Sequence, residues 1–348
     1  MSDKFFITTA IVYANAFPHI GFAFEVIGAD VLARHRRLRG DDVFFLTGMD
    51  EHSVNVEKRA LSLGKKPLEY CDEMAGVYNA LWKKLNVSND DFLRTTEIRH
   101  KQCVQRVIAK ITAKGDVYKG FYEGWYCLSC ESFLKETDLV DGNCPVHNRK
   151  PDWIKEPNYF FALKKYADRV LKHIDGHPEF IQPETRKNEV VNMIKAGMED
   201  TSISRSAVSW GIPFPDDPTQ AVYVWFDALI NYISAVEYGL ETDKFGKYWP
   251  ADVHVIGKDI TKFHCVIWPA LLMSLEIPLP KRVFGHGFLR ISGEKISKTA
   301  GNIIDPAAVA DEFGVDVIRY FLMREVPFGG DGDFSWERFD ERYNADLA

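Results

Sequence analysis

Apolar and polar positions alternate along the chain so that strands and helices follow one another in α/β order. Residues 6–13 form an uncharged run rich in β-branched side chains and predict a buried strand. A break at Pro18 follows. From His19 onward the apolar positions Ala23, Phe24, Ile27, Val31, Leu32 and Leu38 recur at three and four, which predicts a helix closed by Gly40. A second buried run at 43–46 completes a strand–helix–strand unit, the building block of a parallel sheet. Further helices are predicted over 54–63, 68–85 and 97–113, punctuated by Gly64, Pro67 and the capping residues Thr95 and Thr96. In the second half the alternation returns. Strands are predicted at 221–226, 253–256 and around Val283–Phe284, with helices at 227–236 and around Phe263, His264, Ile267 and Trp268. Each strand runs into a polar or glycine-bearing turn, where an open α/β sheet takes its ligands.

Between these halves the pattern changes. Residues 117–126 alternate aromatic and polar side chains, 158–163 form an aromatic strand, and helices are predicted at 164–173 and 185–196, the latter introduced by Pro178, Ile181 and Pro183. The expected organisation is a doubly wound parallel α/β domain interrupted by an α+β insertion. Its parts are 1–115, the insertion 116–219, the second half 220–290, and a loop and helical region at 291–348 with helices at 306–313 and 316–323.

Composition narrows the class. Of 348 residues 46% are apolar, enough for a large core. The 43 basic and 50 acidic residues leave a charge of −7, so no global electrostatic grip on nucleic acid is expected. No apolar run is long enough to span a bilayer and no secretory leader is visible, which makes the cytoplasm the expected location. Cys127, Cys130 and Cys144 cluster, while Cys71, Cys103 and Cys265 stand singly, a distribution unlike a disulfide framework. Cys127-Leu128-Ser129-Cys130 and Cys144-Pro145-Val146-His147 are two short ligand pairs separated by a β-like loop. That is the arrangement of a zinc knuckle, and four protein ligands make such a metal structural.

Three further stretches carry candidate chemistry. His19 lies where a strand feeds a helix N-terminus, a position suited to an anion, although a turn histidine satisfied by its own backbone fits equally. Asp50, Glu51 and His52 follow the second strand as a helix cap or as a carboxylate for a ligand ammonium. Lys295 and Lys298 sit in a Gly/Ser loop, either an exposed hairpin tip or a clamp on phosphate charge. The stripe Tyr70, Met74, Val77, Tyr78, Leu81 and Trp82 is expected to pack as core.

Taken in order, these stretches resemble the class I aminoacyl-tRNA synthetases, and most closely the methionyl-tRNA synthetase family, from Phe5 to Ala348. His19-Ile20-Gly21-Phe22 occupies the position of the HIGH signature, and Lys295-Ile296-Ser297-Lys298-Thr299 that of KMSKS. Thr47-Gly48-Met49-Asp50-Glu51-His52, Trp225-Phe226-Asp227-Ala228, Gly257-Lys258-Asp259-Ile260 and Asp331-Gly332-Asp333-Phe334 look like interior motifs of the family, and the knuckle looks like the one-zinc form of its connective insertion. The resemblance implies a Rossmann-type, HUP-like class I core that activates L-methionine with ATP and transfers it to initiator and elongator methionine tRNAs, as a monomer. It implies Zn2+ at Cys127, Cys130, Cys144 and His147, and Mg2+ with ATP. His19, Gly21, Gly257, Asp259, Lys295 and Lys298 are then expected at ATP, with His19, Lys295 and Lys298 catalytic. Asp50 is expected at the substrate ammonium, and Ile11, Tyr13, Trp225, Ala228, Tyr232 and His286 around the thioether side chain.

The chain departs from the family pattern at several points. Phe22 replaces the second signature histidine and cannot donate to a phosphate. Ser53 stands where a glycine is frequent, Met49 replaces a small residue, and Ile296 replaces methionine. The family's helical anticodon-binding domain follows the Asp-Gly-Asp-Phe segment, and the sequence stops where it would begin, so a core that recognises tRNA poorly is expected. Two other readings remain open at this level. One is a synthetase-like enzyme that activates an amino acid for a different acceptor, and the other is a binding module that keeps the fold.

Overall fold

The structure, a computed structural model, describes residues 3–15, 17–146, 148–206, 208–291, 293–295 and 303–348. His147 and Lys298, with Ile296, Ser297 and Thr299, lie outside the described residues, and Lys295 is described in its backbone only.

Among the described residues seven parallel strands form the central sheet. Lys4–Thr9 lies between Asp42–Asp50 and Val253–Gly257, and Val283–His286 and Ile181–Gln182 continue the sheet outward. Val12–Tyr13 and Asp91–Arg94 both pair with Asp42–Asp50. This is the doubly wound α/β fold expected from the alternation. The uncharged strands are buried on both sides, with Phe6, Ile7, Phe45 and Leu46 fully covered. Two apolar clusters result. One packs Ile7, Phe24, Ile27 and Tyr78 under the helix Ile20–Leu38, and the other packs Phe6, Trp249, Ile256 and Trp268 on the opposite face.

The first strand is not continuous. Thr8 faces Leu46 and Val12 faces Met49, so four steps along one strand match three along its neighbour. This one-residue bulge takes Ala10 and Ile11 out of the pairing with Asp42–Asp50. The Ala10 amide meets both Val255 O at 3.1 Å and Glu25 Oε1 at 3.0 Å. A continuous run over 6–13 predicts no such break, because apolar periodicity is blind to an acceptor arriving from the following helix.

The prediction for 221–226 is corrected. The strand there is Asp217–Val222, in a small antiparallel sheet with Ser204–Arg205 and Pro213–Phe214, and a helix, Val224–Leu229, begins early enough to contain Trp225. Tyr223 O accepts from both Phe226 N and Asp227 N at 2.9 Å, which starts the turn. Residues 227–236 are two short helices, Val224–Leu229 and Asn231–Ser234. Ile181–Gln182, placed by sequence in the approach to a helix, is the outer strand of the central sheet. A long antiparallel ribbon, Val117–Cys127 against Asp152–Phe161, carries Ser132–Leu134 and the cysteines. Near the C-terminal end, helices Pro306–Phe313, Val315–Glu325 and Trp336–Arg342 pack through Phe313, Phe321 and Phe339.

Candidate functional site

A cavity of about 190 Å³ opens at the carboxyl edge of the sheet. The bulge supplies Ala10 and Ile11, the strand end supplies Asp50, the early helix supplies Trp225 and Ala228, and Gly257 and Asp259 follow the strand Val253–Gly257. Of the residues expected there, Ile11, Tyr13, Asp50, Trp225, Ala228, Tyr232, Gly257 and Asp259 line it. Tyr13 meets Trp225 edge-on with ring centroids 5.7 Å apart, and Trp225 stacks on Phe263 at 4.0 Å. Phe263 opens a π-helical turn, Phe263–Ile267, an irregularity frequent where a helix adjoins a site.

The polar end is unbalanced. Asp50 is 2% exposed, and its Oδ1 has no hydrogen-bond partner among the described residues; neither have the Tyr13 hydroxyl and Asn231 Oδ1. Burial, and then the charges of Asp227, Glu131 and Glu51, push the Asp50 carboxyl well above its ordinary range. Burial and the adjacent Asp50 push the Tyr13 phenol up as well. A buried carboxylate in a negative field is stabilised by an incoming cation, so this end of the cavity has the chemistry of an ammonium receptor.

His286 is not on the cavity wall. It lies behind Glu25, with Nε2 2.8 Å from Glu25 Oε2, and edge-on to Phe24. Burial disfavours its cation, but the hydrogen bond and charge of Glu25 outweigh that and raise the imidazole above its usual value. Glu25, Asn231, Ile260 and His264 line the cavity without having been assigned a role there from sequence, and so does Phe22, which stands in place of the second signature histidine.

His264 and His254 form a neutral pair around Tyr232. His264 Nδ1 lies 3.1 Å from Ile260 O and must donate to it, which leaves Nε2 to accept from the Tyr232 hydroxyl at 2.7 Å. Trp268 Nε1 donates to His254 Nε2, whose ring stacks on Tyr232 at 4.2 Å. Burial holds His264 down at about 4 and His254 well below its ordinary value. In the unfolded chain these imidazoles take up protons near pH 6.5, so their contribution to stability is complete above that pH and is lost as pH falls toward 4. Denaturant unfolding should show the chain weaker at pH 5 than at pH 7. His264→Asn should reduce that difference by about 2 kcal/mol, and an unchanged difference would contradict the assignment.

His19 and Gly21, expected at ATP, are not on the cavity wall, although the neighbouring Phe22 is; His19 precedes the helix Ile20–Leu38 and accepts from Gly21 N at Nδ1, 3.1 Å. The Phe22 ring stacks on it with centroids 4.3 Å apart and meets Tyr78 edge-on. Asp331 accepts from Lys258 Nζ at 2.7 Å and Phe288 N at 2.9 Å, while Asp333 accepts from Gly293 N at 2.8 Å in the turn of the hairpin that carries Lys295. Arg290↔Lys295 and Ile291↔Glu294 are the hairpin's backbone pairings.

The sulfur atoms of Cys127, Cys130 and Cys144 lie within 4.8 Å of one another. Burial and the neighbouring thiols push the Cys130 thiol up, so ionising this cluster calls for a cation. Three convergent cysteines on a ribbon and a tight turn (Asp141 and Gly142, both at positive φ) are the donor set of a structural zinc site. The cluster is joined to the cavity. Trp225 Nε1 donates to Cys130 O at 3.3 Å, and Glu131 accepts from Ser53 Oγ at 2.5 Å and Val54 N at 2.6 Å. Metal analysis should find about one zinc per chain, removable by a strong chelator with loss of near-UV signal from Tyr126, Phe133 and Tyr223, which pack together beside it. Zinc-free protein with an unaltered spectrum would contradict this site.

A family model described as "tRNA synthetases class I (M)" matches residues 5–151 and 136–348. The chain belongs to this family, the class I methionyl-tRNA synthetases. It is 51% identical over 349 residues to the methionine–tRNA ligase of Thermotoga maritima and 52% identical to that of Caldanaerobacter subterraneus. These alignments cover 99% and 100% of the chain and 56% and 55% of the relatives, so the chain spans about half their length. Mycobacterium tuberculosis methionyl-tRNA synthetase in complex with methionyl-adenylate superposes with a TM-score of 0.96 at 44% identity, covering 99% of this chain and 69% of that one. The apo form of the same protein gives 0.86 at 41% identity, covering 100% and 67%. The family's parallel core, cysteine-bearing insertion and C-terminal helical segment are all present here. No helix among the described residues is long and apolar enough to cross a membrane.

Sequence reasoning missed Glu25 and His264 for different reasons. Glu25 sits in the first amphipathic helix, where an acid is ordinary, and its role comes from contacts with the distant Ala10 amide and His286. His264 lies in an apolar stretch, where a histidine satisfied within the core is the common outcome.

Proposed function

We propose that the chain activates L-methionine with ATP, forming methionyl-adenylate, and that the aminoacyl group then passes to tRNA. The observation that carries this reading is the buried Oδ1 of Asp50, without a partner among the described residues, at one end of a cavity walled by Tyr13, Trp225 and Tyr232. The substrate ammonium binds Asp50, and its flexible, polarizable thioether chain lies against the aromatic rings, with Ile11 and Ala228 limiting branching. His286 acts on this wall through Glu25.

The methionine carboxylate attacks the α-phosphorus of ATP. The bond to the β-phosphate breaks, and pyrophosphate leaves with the electron pair. The protein supplies no nucleophile, only positioning and charge. His19 donates to the phosphates, Lys295 and Lys298 neutralise the β- and γ-phosphates, and Gly21, Gly257 and Asp259 face the adenylate. Gly257 suits close approach, since a Cβ there would stand 2.7 Å from Asp259 Oδ1. Magnesium, arriving with the triphosphate, would screen its charge. Residues 1–115 and 220–290 form the catalytic region around the insertion 116–219, in which His147 is the fourth zinc ligand, and 291–348 carries the lysine loop. In the second step a ribose hydroxyl at the tRNA 3′ end displaces AMP. The carrier is a methionine tRNA, initiator or elongator, and the protein acts as a monomer in the cytoplasm.

Calorimetry with a non-hydrolysable methionyl-adenylate analogue tests the pocket. Tight binding that is lost with the leucyl analogue is expected, and equal affinity for both would overturn the thioether assignment.

A further inference from the structure

Behind the Asp50 end of the cavity lies a buried chain of hydrogen bonds centred on Asp227. Its Oδ2 is 2.7 Å from His52 Nδ1, its Oδ1 is 2.6 Å from His100 Nε2, and His100 Nδ1 is 2.8 Å from Ser234 Oγ. The four side chains come from one loop and three helices. His52 is two residues past Asp50, Asp227 is in the helix Val224–Leu229, His100 is in Ile98–Ala113, and Ser234 is in Asn231–Ser234. None lines the cavity, and none is more than 3% exposed.

A carboxylate only accepts, so both facing ring nitrogens carry protons and each donates to a different oxygen of Asp227. Burial works against the charge on Asp227, but the two histidines more than offset it and hold the carboxyl at about 2. Asp227 stands between the wall residues Trp225 and Ala228 on one short helix, and His52 is joined through Glu51 to Asp50. One carboxylate therefore ties the receptor for the ammonium to the wall for the side chain. A hydrogen bond at each oxygen removes rotation about the carboxylate axis as well as translation, which is how a remote group registers two parts of a site.

We infer that Asp227 is a positioning residue of the amino-acid pocket, holding the Asp50 carboxylate in register with the Trp225–Ala228 wall through His52 and His100. The inference rests on the methionine-pocket reading proposed above. The role is geometric, so a neutral donor at the same place suffices: the amide nitrogen of asparagine replaces Nδ1 of His52, and that of glutamine replaces Nε2 of His100.

Methionine-dependent ATP–pyrophosphate exchange with thermal unfolding of each variant supplies the test. His52→Asn and His100→Gln should keep KM for methionine within about threefold, whereas His52→Ala, His100→Ala and Asp227→Asn should raise it about tenfold or more with KM for ATP and kcat nearly unchanged. Alanine variants with an unmoved methionine KM, or with the ATP KM rising in parallel, would overturn the assignment. If the alanine variants do not fold, His52→Asn against Asp227→Asn decides, the first retaining the methionine KM and the second raising it. Wild-type exchange measured alongside separates two failures. Its absence overturns the pocket reading, while its presence with an unmoved KM in Asp227→Asn overturns only the role of Asp227.

Discussion

Asp50→Asn is expected to lower kcat/KM for methionine by two to three orders of magnitude, about 3–4 kcal/mol. The carboxylate is buried, its Oδ1 has no partner among the described residues, and Asp227, Glu131 and Glu51 add to the negative field. An ammonium entering this field loses its water and is repaid only by full charge at Asp50. Asparagine keeps the volume but offers a dipole, and its amide presents N–H groups to a cation. The loss should fall on methionine and leave KM for ATP within about threefold. Unfolded-state comparisons sharpen the test. Removing a charge disfavoured by burial should leave Asp50→Asn as stable as the parent or more so, measured by denaturant unfolding. A variant that loses stability and activity together would point to a structural role.

His19→Ala is expected to lower kcat for adenylate formation by about 10²–10³, or 3–4 kcal/mol, with KM for methionine nearly unchanged. The ring accepts from Gly21 N through Nδ1, so a neutral His19 carries its proton on Nε2. A donor held in one tautomer at a helix N-terminus is placed for charge that builds on phosphate during the reaction. The substitution also removes a helix cap, worth about 1 kcal/mol of stability, which separates cleanly from the rate effect. Phe22 sharpens this prediction. Its ring stacks on His19 and lines the cavity but donates nothing, so the role proposed for His19 has no second signature histidine beside it. Phe22→His should raise kcat several-fold, at most about the value of one added donor. Single-turnover adenylate formation measures both, and a His19→Ala variant with normal kcat would remove His19 from the phosphate site.

The order of strands and helices was legible because both faces of the sheet are buried and the helices carry one apolar stripe each. Long uncharged runs such as 43–46 and 253–256 have no other stable solution than the interior of an α/β fold. The site was legible where a motif carried chemistry of its own. Asp50, Tyr13 and Trp225 converge on one cavity, and three of the expected metal ligands lie together. What sequence could not show depends on contacts between distant elements. At the bulge the Ala10 amide meets an acceptor supplied by Glu25, and the helical placement of Trp225 goes with a turn closed at Tyr223 within a run that alternates like a strand. The position of His286 behind Glu25 is likewise a tertiary fact, since His286 and Glu25 are remote in the chain and meet only across the helix–sheet interface.

ATP–pyrophosphate exchange with each amino acid in turn tests the central claim most directly, because it reads the first step alone and needs no tRNA. Methionine should support exchange at least about a hundredfold better than leucine, isoleucine or valine, in line with a pocket that rewards an unbranched polarizable chain. Exchange with no amino acid, or preferred exchange with an amino acid other than methionine, would contradict the assignment of this cavity.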